Sequence, residues 1–240
     1  MSTTDPTMLI CLPFAGSAAS FYRAWKPLAP ESLDILPIQL PGREERFVEA
    51  FHTDAATAAD EAYDQISGQL ESGPRVAVFG HSLGAILAFE LARRIERSHR
   101  PELSGLFVSG SPGPWTGRTR RATGLSDDEF VARVRSFAGY SHPVLDNPEM
   151  RDLLLPLLRA DVQMHEDYRP GSREPLASPV VALRGREDEL VDHEQILQWS
   201  ESTTGAFDTA TFDGGHMYLT DGAAELLAAI AGRLTAVNGR

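Results

Sequence analysis

Five short, mainly apolar runs recur along the chain, MLICL at 8–12, ILPIQL at 35–40, VAVF at 76–79, LSGLFVS at 103–109 and PVVAL at 179–183, and a more polar stretch, FDTATF at 207–212, reads as the last strand. Each is too short for a helix and is closed by glycine, proline or small polar residues, which is how a strand reads in sequence. Between them, apolar residues return at intervals of three and four. Ala55, Ala58, Ala62 and Ile66 do so within 52–70, and Ile86, Leu87, Phe89 and Leu91 mark an inner face just after Ser82. Further helices are expected over 18–28, 192–202 and 221–237. Strand and helix therefore alternate. Such alternation predicts an α/β fold, a mainly parallel sheet with helices on both faces and active groups at the carboxyl ends of its strands.

The alternation lapses between about 112 and 178. Pro112-Gly113-Pro114 breaks the chain, and helical segments follow without a convincing strand. Ser126 is placed to cap one, with Asp127, Asp128 and Glu129 in its first turn. Asn147-Pro148-Glu149 opens another, apolar around much of its circumference and expected to kink at Pro156. A greasy helical insertion between strands suits a lid over a site. Met150, Leu154, Leu158 and Met164, with Met217 further on, are then candidates for the wall of a substrate pocket. An extra core-packing layer is the plainer use of the same leucines. The whole of 1–240 is expected to form one domain carrying this insertion.

The chemistry centres on Gly80-His81-Ser82-Leu83-Gly84, set between the 76–79 strand and the helix after it. A serine at such a strand-to-helix turn is held in a strained conformation with its hydroxyl lifted from the sheet, and glycines flank it because side chains there would collide with strand or helix. The N–H of Leu83, at the positive end of the helix, can face an oxyanion. The loop Pro13-Phe14-Ala15-Gly16-Ser17, after the first strand, can offer a second N–H from Phe14 or Ala15.

A serine hydroxyl needs a base, and the base needs a carboxylate to orient it. The chain supplies Ser82, Asp188 and His216, each just beyond a predicted strand, in the order expected of the α/β-hydrolase fold. His216 follows the last strand and two glycines, whereas the other histidines fall where no strand delivers them to the site; His81, beside the serine, is expected to point elsewhere. Asp192 is the nearest rival to Asp188, and Asp213 stands too close to His216 in sequence to lie behind it.

Composition narrows the setting. The net charge of −12, from 22 basic and 34 acidic residues, argues against nucleic acid as a partner. The single cysteine, Cys11, permits no internal disulfide. The first residues lack a basic and apolar leader, and no stretch is long enough to span a bilayer, so a cytoplasmic protein is expected. Neither zinc-ligand spacing nor a phosphate-binding loop is present, so no metal or cofactor is expected.

Six segments together resemble a known family. LPFAGSAASFYRAW, QLPGREER, GHSLGA, LPLLRADVQMHEDY, LRGREDELV and GGHMYL are similar to the type II thioesterases that accompany modular polyketide synthases and nonribosomal peptide synthetases. PGRE-x-R and RAD-x-x-x-x-E-x-Y are the most specific of these. The resemblance implies a serine hydrolase that removes stalled or wrongly primed acyl groups from the phosphopantetheine thioester of an acyl or peptidyl carrier protein and needs no cofactor of its own; the sequence leaves the oligomeric state open, with a monomer the default expectation. Arg118, Arg120 and Arg121, at the head of the insertion, are the candidate docking patch for that carrier. An esterase or lipase, an acyl-CoA thioesterase with the same triad, and a binding module that keeps only the fold are the alternatives.

Overall fold

Strands β1 (Thr7–Leu12), β2 (Leu33–Pro37), β3 (Val76–His81), β4 (Leu103–Ser109), β5 (Val180–Gly185) and β6 (Phe207–Phe212) form one sheet in the order β2-β1-β3-β4-β5-β6. All five neighbouring pairs are parallel. The computed structural model describes residues 5–73, 75–98, 102–117, 121–138 and 147–238. Among them no helix is long and apolar enough to cross a membrane.

Among the described residues seven α-helices connect and cover the strands: α1 (Ala19–Arg23), α2 (Ala55–Leu70), α3 (Leu83–Ser98), α4 (Asp127–Ala138), α5 (Pro148–Asp167), α6 (His193–Leu197) and α7 (Ala223–Asn238). Two expected helices are shorter than their sequence suggests. The 18–28 segment is α only to Arg23 and then tightens into a 3-10 turn at Lys26–Leu28, where Pro27 lacks the N–H that an α-helix needs. Likewise, 192–202 is α to Leu197 and 3-10 from Gln198 to Ser202.

The period of two along each strand sorts the core into layers. Ile10, Leu12, Val76, Val78, Leu106 and Val108 belong to a cluster with the buried residues of α2 and α3. Their neighbours Leu9, Cys11, Ala77, Phe79 and Phe107 belong to another with Tyr22 of α1 and Leu226, Leu227 and Ile230 of α7. Both faces of the sheet are covered, which is why its central strands read as continuous apolar runs.

The strand order reverses at β1. The chain leaves β1 for β2 on one side and returns with β3 on the other, so the loops after β1 and β3 diverge and leave a crevice between them. The Phe14 loop and Ser82 flank this crevice. The insertion between β4 and β5 contains α4 and α5, with a cluster of its own in which Phe130 and Val131 meet Leu155 and Leu158. Asn147 caps α5 by accepting N–H bonds from Glu149 (3.0 Å) and Met150 (3.3 Å), and Pro148 takes the first helical position. The helix continues unbroken through Pro156, which is exposed.

Candidate active site

Ser82 lies between β3 and α3 with a φ of 54°, a conformation L-residues seldom adopt. Its neighbours explain the glycines. A Cβ on Gly80 would come within 1.8 Å of the Gly84 carbonyl oxygen, and one on Gly84 within 2.5 Å of that of Leu12. The turn is therefore packed backbone to backbone against the first turn of α3 and the end of β1. The Ser82 N–H donates to the Ser109 carbonyl (2.8 Å), which fixes the turn to β4. Leu83 opens α3, so its N–H has no acceptor within the helix.

Asp188 and His216 come from adjacent loops that are tied together. Arg186 N–H donates to Phe212 O (2.7 Å) and Glu187 N–H to Gly214 O (3.0 Å). In return, Gly214 N–H donates to the Glu187 carboxylate (2.7 Å). This arrangement sets His216 Nδ1 2.9 Å from Asp188 Oδ2. Asp188 Oδ1 accepts the N–H groups of Leu190 (2.8 Å) and Val191 (3.1 Å). Burial opposes charge on the Asp188 carboxyl, but the His216 hydrogen bond and charge, with those two N–H groups, outweigh it and hold the group below its ordinary value. A carboxylate only accepts, so Nδ1 carries the imidazole proton, and Nε2 of the neutral ring is left basic. The rival acids are engaged elsewhere: Asp192 caps α6 and Asp213 pairs with Arg186 at the surface.

Ser82 and His216 open into one cavity of about 570 Å³. Phe14 and Ala15 form part of its wall, as do Leu154, Leu158 and Met217 from the expected pocket set. Met150 and Met164 do not. Met150 lies in the first turn of α5, exposed and beyond the cavity, while Met164 is turned about 120° from Leu158 around the helix and packs into the core beside α3. Of the expected docking arginines, Arg118 and Arg120 lie outside the described residues. Arg121 is paired with Asp167, and its Nε lies 3.6 Å from Glu166, so its charge is already offset.

Several neighbours escaped the sequence reading. His165 and Glu166 of α5 reach the cavity wall, as does Val134 of α4. No spacing signal could have revealed these, because tertiary packing brings them there. His81, as expected, does not line the cavity: it is fully buried beneath it, with Nδ1 2.9 Å from Ser109 Oγ and its ring centroid 4.7 Å from that of His216.

Known proteins show the same architecture. A family model described as a thioesterase domain matches residues 7–234. Thioesterase PikA5 of Streptomyces venezuelae is 34% identical over 233 residues, 96% of this chain and 82% of that protein. The type II thioesterase BorB from the borrelidin biosynthetic cluster superposes with a TM-score of 0.85 at 38% identity, over 98% of this chain and 94% of its own. The RedJ thioesterase from the prodiginine biosynthetic pathway in Streptomyces coelicolor gives a TM-score of 0.87 at 31% identity, over 96% and 91%. The parallel sheet with its helical insertion is thus the α/β-hydrolase fold, and this chain belongs to the thioesterase family, alongside its type II members.

Proposed function

We propose that Ser82, His216 and Asp188 form the hydrolytic triad of an editing thioesterase that releases acyl groups from the phosphopantetheine arm of acyl or peptidyl carrier proteins. The observation that carries this reading is that the strained Ser82 and the Asp188-held His216 share one cavity. His216 Nε2 takes the Ser82 proton as Oγ attacks the thioester carbonyl. The N–H of Leu83, with that of Phe14 or Ala15, holds the oxyanion. Collapse expels the pantetheine sulfur, which receives the proton from His216, and leaves an acyl-serine. Water then gives a proton to His216 and attacks the ester; collapse returns that proton to Ser82 Oγ and frees the carboxylic acid. Asp188 keeps the imidazole oriented and stabilises its cation throughout.

The acyl chain lies against Leu154 and Leu158, whose apolar surface also keeps bulk water from the site. Membership of the thioesterase family, and relatives drawn from the borrelidin and prodiginine pathways, support a role in clearing carrier-bound acyl units. The protein works in the cytoplasm as a monomer, recruits no cofactor, and meets its carrier only transiently.

The test is release of free acid from one short acyl group presented on a carrier protein and on coenzyme A, by the intact protein and by Ser82→Ala. Faster release from the carrier, abolished in the variant, is expected. Equal rates on the two carriers would remove carrier recognition from the reading, and activity surviving in Ser82→Ala would remove the nucleophile.

A further inference from the structure

The two most specific sequence motifs, PGRE and RAD-x-x-x-x-E-x-Y, contribute no group to the chemistry above, yet they meet. Arg43 and Asp161 stand 118 residues apart and form a bidentate ion pair, with Nη2 to Oδ1 at 2.9 Å and Nη1 to Oδ2 at 3.1 Å. Their side chains are 4% and 0% exposed. Each also holds the loop after β1. Asp161 Oδ2 accepts the Gly16 N–H (2.8 Å), and Arg43 Nη1 donates to the Ser17 carbonyl (2.8 Å). Gln39 completes the frame, accepting the Ala19 N–H (3.0 Å) and donating to the Arg43 carbonyl (3.0 Å).

A buried ion pair gives little net stability over an apolar pair of the same volume. Its distinctive effect here is on position. With the Gly16 N–H on Asp161 and the Ser17 N–H on the Phe14 carbonyl (2.9 Å), the Phe14-to-Ser17 loop keeps only the N–H groups of Phe14 and Ala15 for a ligand. The rest of the second motif anchors the same stretch of α5. Glu166 accepts the N–H groups of Ala122 (2.6 Å) and Thr123 (3.0 Å), and the Tyr168 hydroxyl donates to Glu90 of α3 (2.8 Å).

We infer that Arg43 and Asp161 are positioning residues for the oxyanion hole, through which the second half of α5 serves as a fixed part of the hydrolytic machinery rather than a moving cover. This rests on the assignment of an oxyanion N–H to Phe14 or Ala15. An oxyanion donor displaced by about 1 Å loses about 100-fold in rate. The loss falls on kcat rather than KM, because the donor acts on the charge of the transition state.

The experiment compares wild type, Asp161→Asn, Arg43→Lys and the apolar pair Arg43→Met/Asp161→Leu, which leaves no lone buried charge. End-point reaction with a fluorophosphonate counts competent Ser82 sites, and the rate of that reaction reads the hole directly, since the phosphonyl oxygen occupies it. Expected are kcat and phosphonylation rate per titrated site lowered together by about 10- to 100-fold, with KM changed less than about 3-fold. Arg43→Lys should be the mildest. Wild-type values per titrated site, with only the number of sites reduced, would overturn the inference by making the pair a stability element. Wild-type protein that takes no label would overturn the assignment of Ser82, and the inference with it.

Discussion

Ser109 bridges His81 and Tyr218, and so ties the serine turn to the loop that carries His216. Its Oγ lies 2.9 Å from His81 Nδ1 and 2.8 Å from the Tyr218 hydroxyl, two residues after His216. Its carbonyl accepts the Ser82 N–H. One residue of β4 therefore supports both the serine turn and the histidine loop. Ser109→Ala removes the hydroxyl that His81 Nδ1 and the Tyr218 hydroxyl share in the core, which costs about 1 to 3 kcal/mol. Urea unfolding should show that loss, with kcat lowered about 10-fold as the two loops drift apart. Wild-type midpoint and kcat would show that the chain of contacts is incidental.

Gly80 has a neighbour that cannot move aside. A methyl group there would lie 1.8 Å from a backbone oxygen of α3. Gly80→Ala should lower stability by about 3 kcal/mol, and activity with it, in contrast to Gly68→Ala, whose methyl meets nothing within 4 Å. Thermal or urea melts of the two variants make the comparison, and similar midpoints would contradict it.

The acid behaviour of Asp188 follows from its partners. Burial raises its pKa, but His216 and the Leu190 and Val191 N–H groups lower it further, so the folded value falls below the ordinary 3.8. A carboxyl with a lowered folded value stabilises the fold fully above its unfolded value, and loses that contribution as pH falls through the folded one. Carboxyl carbon resonances should show Asp188 still ionised at pH 3.8, and its midpoint should rise in His216→Ala, where burial remains but the imidazole is gone. A wild-type midpoint at or above 3.8 would refute the balance of causes.

The cavity wall should set acyl length. Leu154 faces a space of about 570 Å³, and a larger ring there takes up room that a long chain needs. Leu154→Trp is expected to lower kcat/KM for a long acyl substrate about 10-fold more than for acetyl, since each methylene excluded forfeits about 0.8 kcal/mol. Equal losses on both would place the acyl chain elsewhere.

Much of this architecture is legible in the sequence. The four central strands answer to apolar runs, because a parallel sheet covered on both faces needs apolar residues at successive positions, while the edge strands β2 and β6 carry exposed polar residues such as Asp34 and Asp208. Ser82, Asp188 and His216 could be picked out because each follows a predicted strand at a glycine-bearing turn. Other features had no sequence signal. A helix apolar around most of its girth does not reveal which face meets a cavity, so Met164 read like Leu158 although it points into the core. The partnership of Arg43 with Asp161 spans 118 residues, and no local pattern encodes it. Nor could the loop after β1 be resolved into used and unused N–H groups until the Asp161 carboxylate was seen on Gly16.

Pro156 divides α5 into stretches with different obligations. It offers no N–H to the carbonyl of Asp152, so the hydrogen-bond ladder that would make the helix one stiff rod is missing a rung at its middle. Before it lie Leu153 and Leu154, one exposed and one on the cavity wall; after it Leu157 and Leu158 continue that wall, while Asp161 and Glu166, with Tyr168 just past the helix end, are each bound to another part of the fold. A substitution at Leu154 can therefore reshape the pocket without touching the residues that fix the loop after β1, whereas Leu157, Leu158 and Val162 share their stretch with Asp161. One helix thus carries both the wall of the cavity and the ties that hold the loop after β1, and only its first stretch is relieved of the second duty.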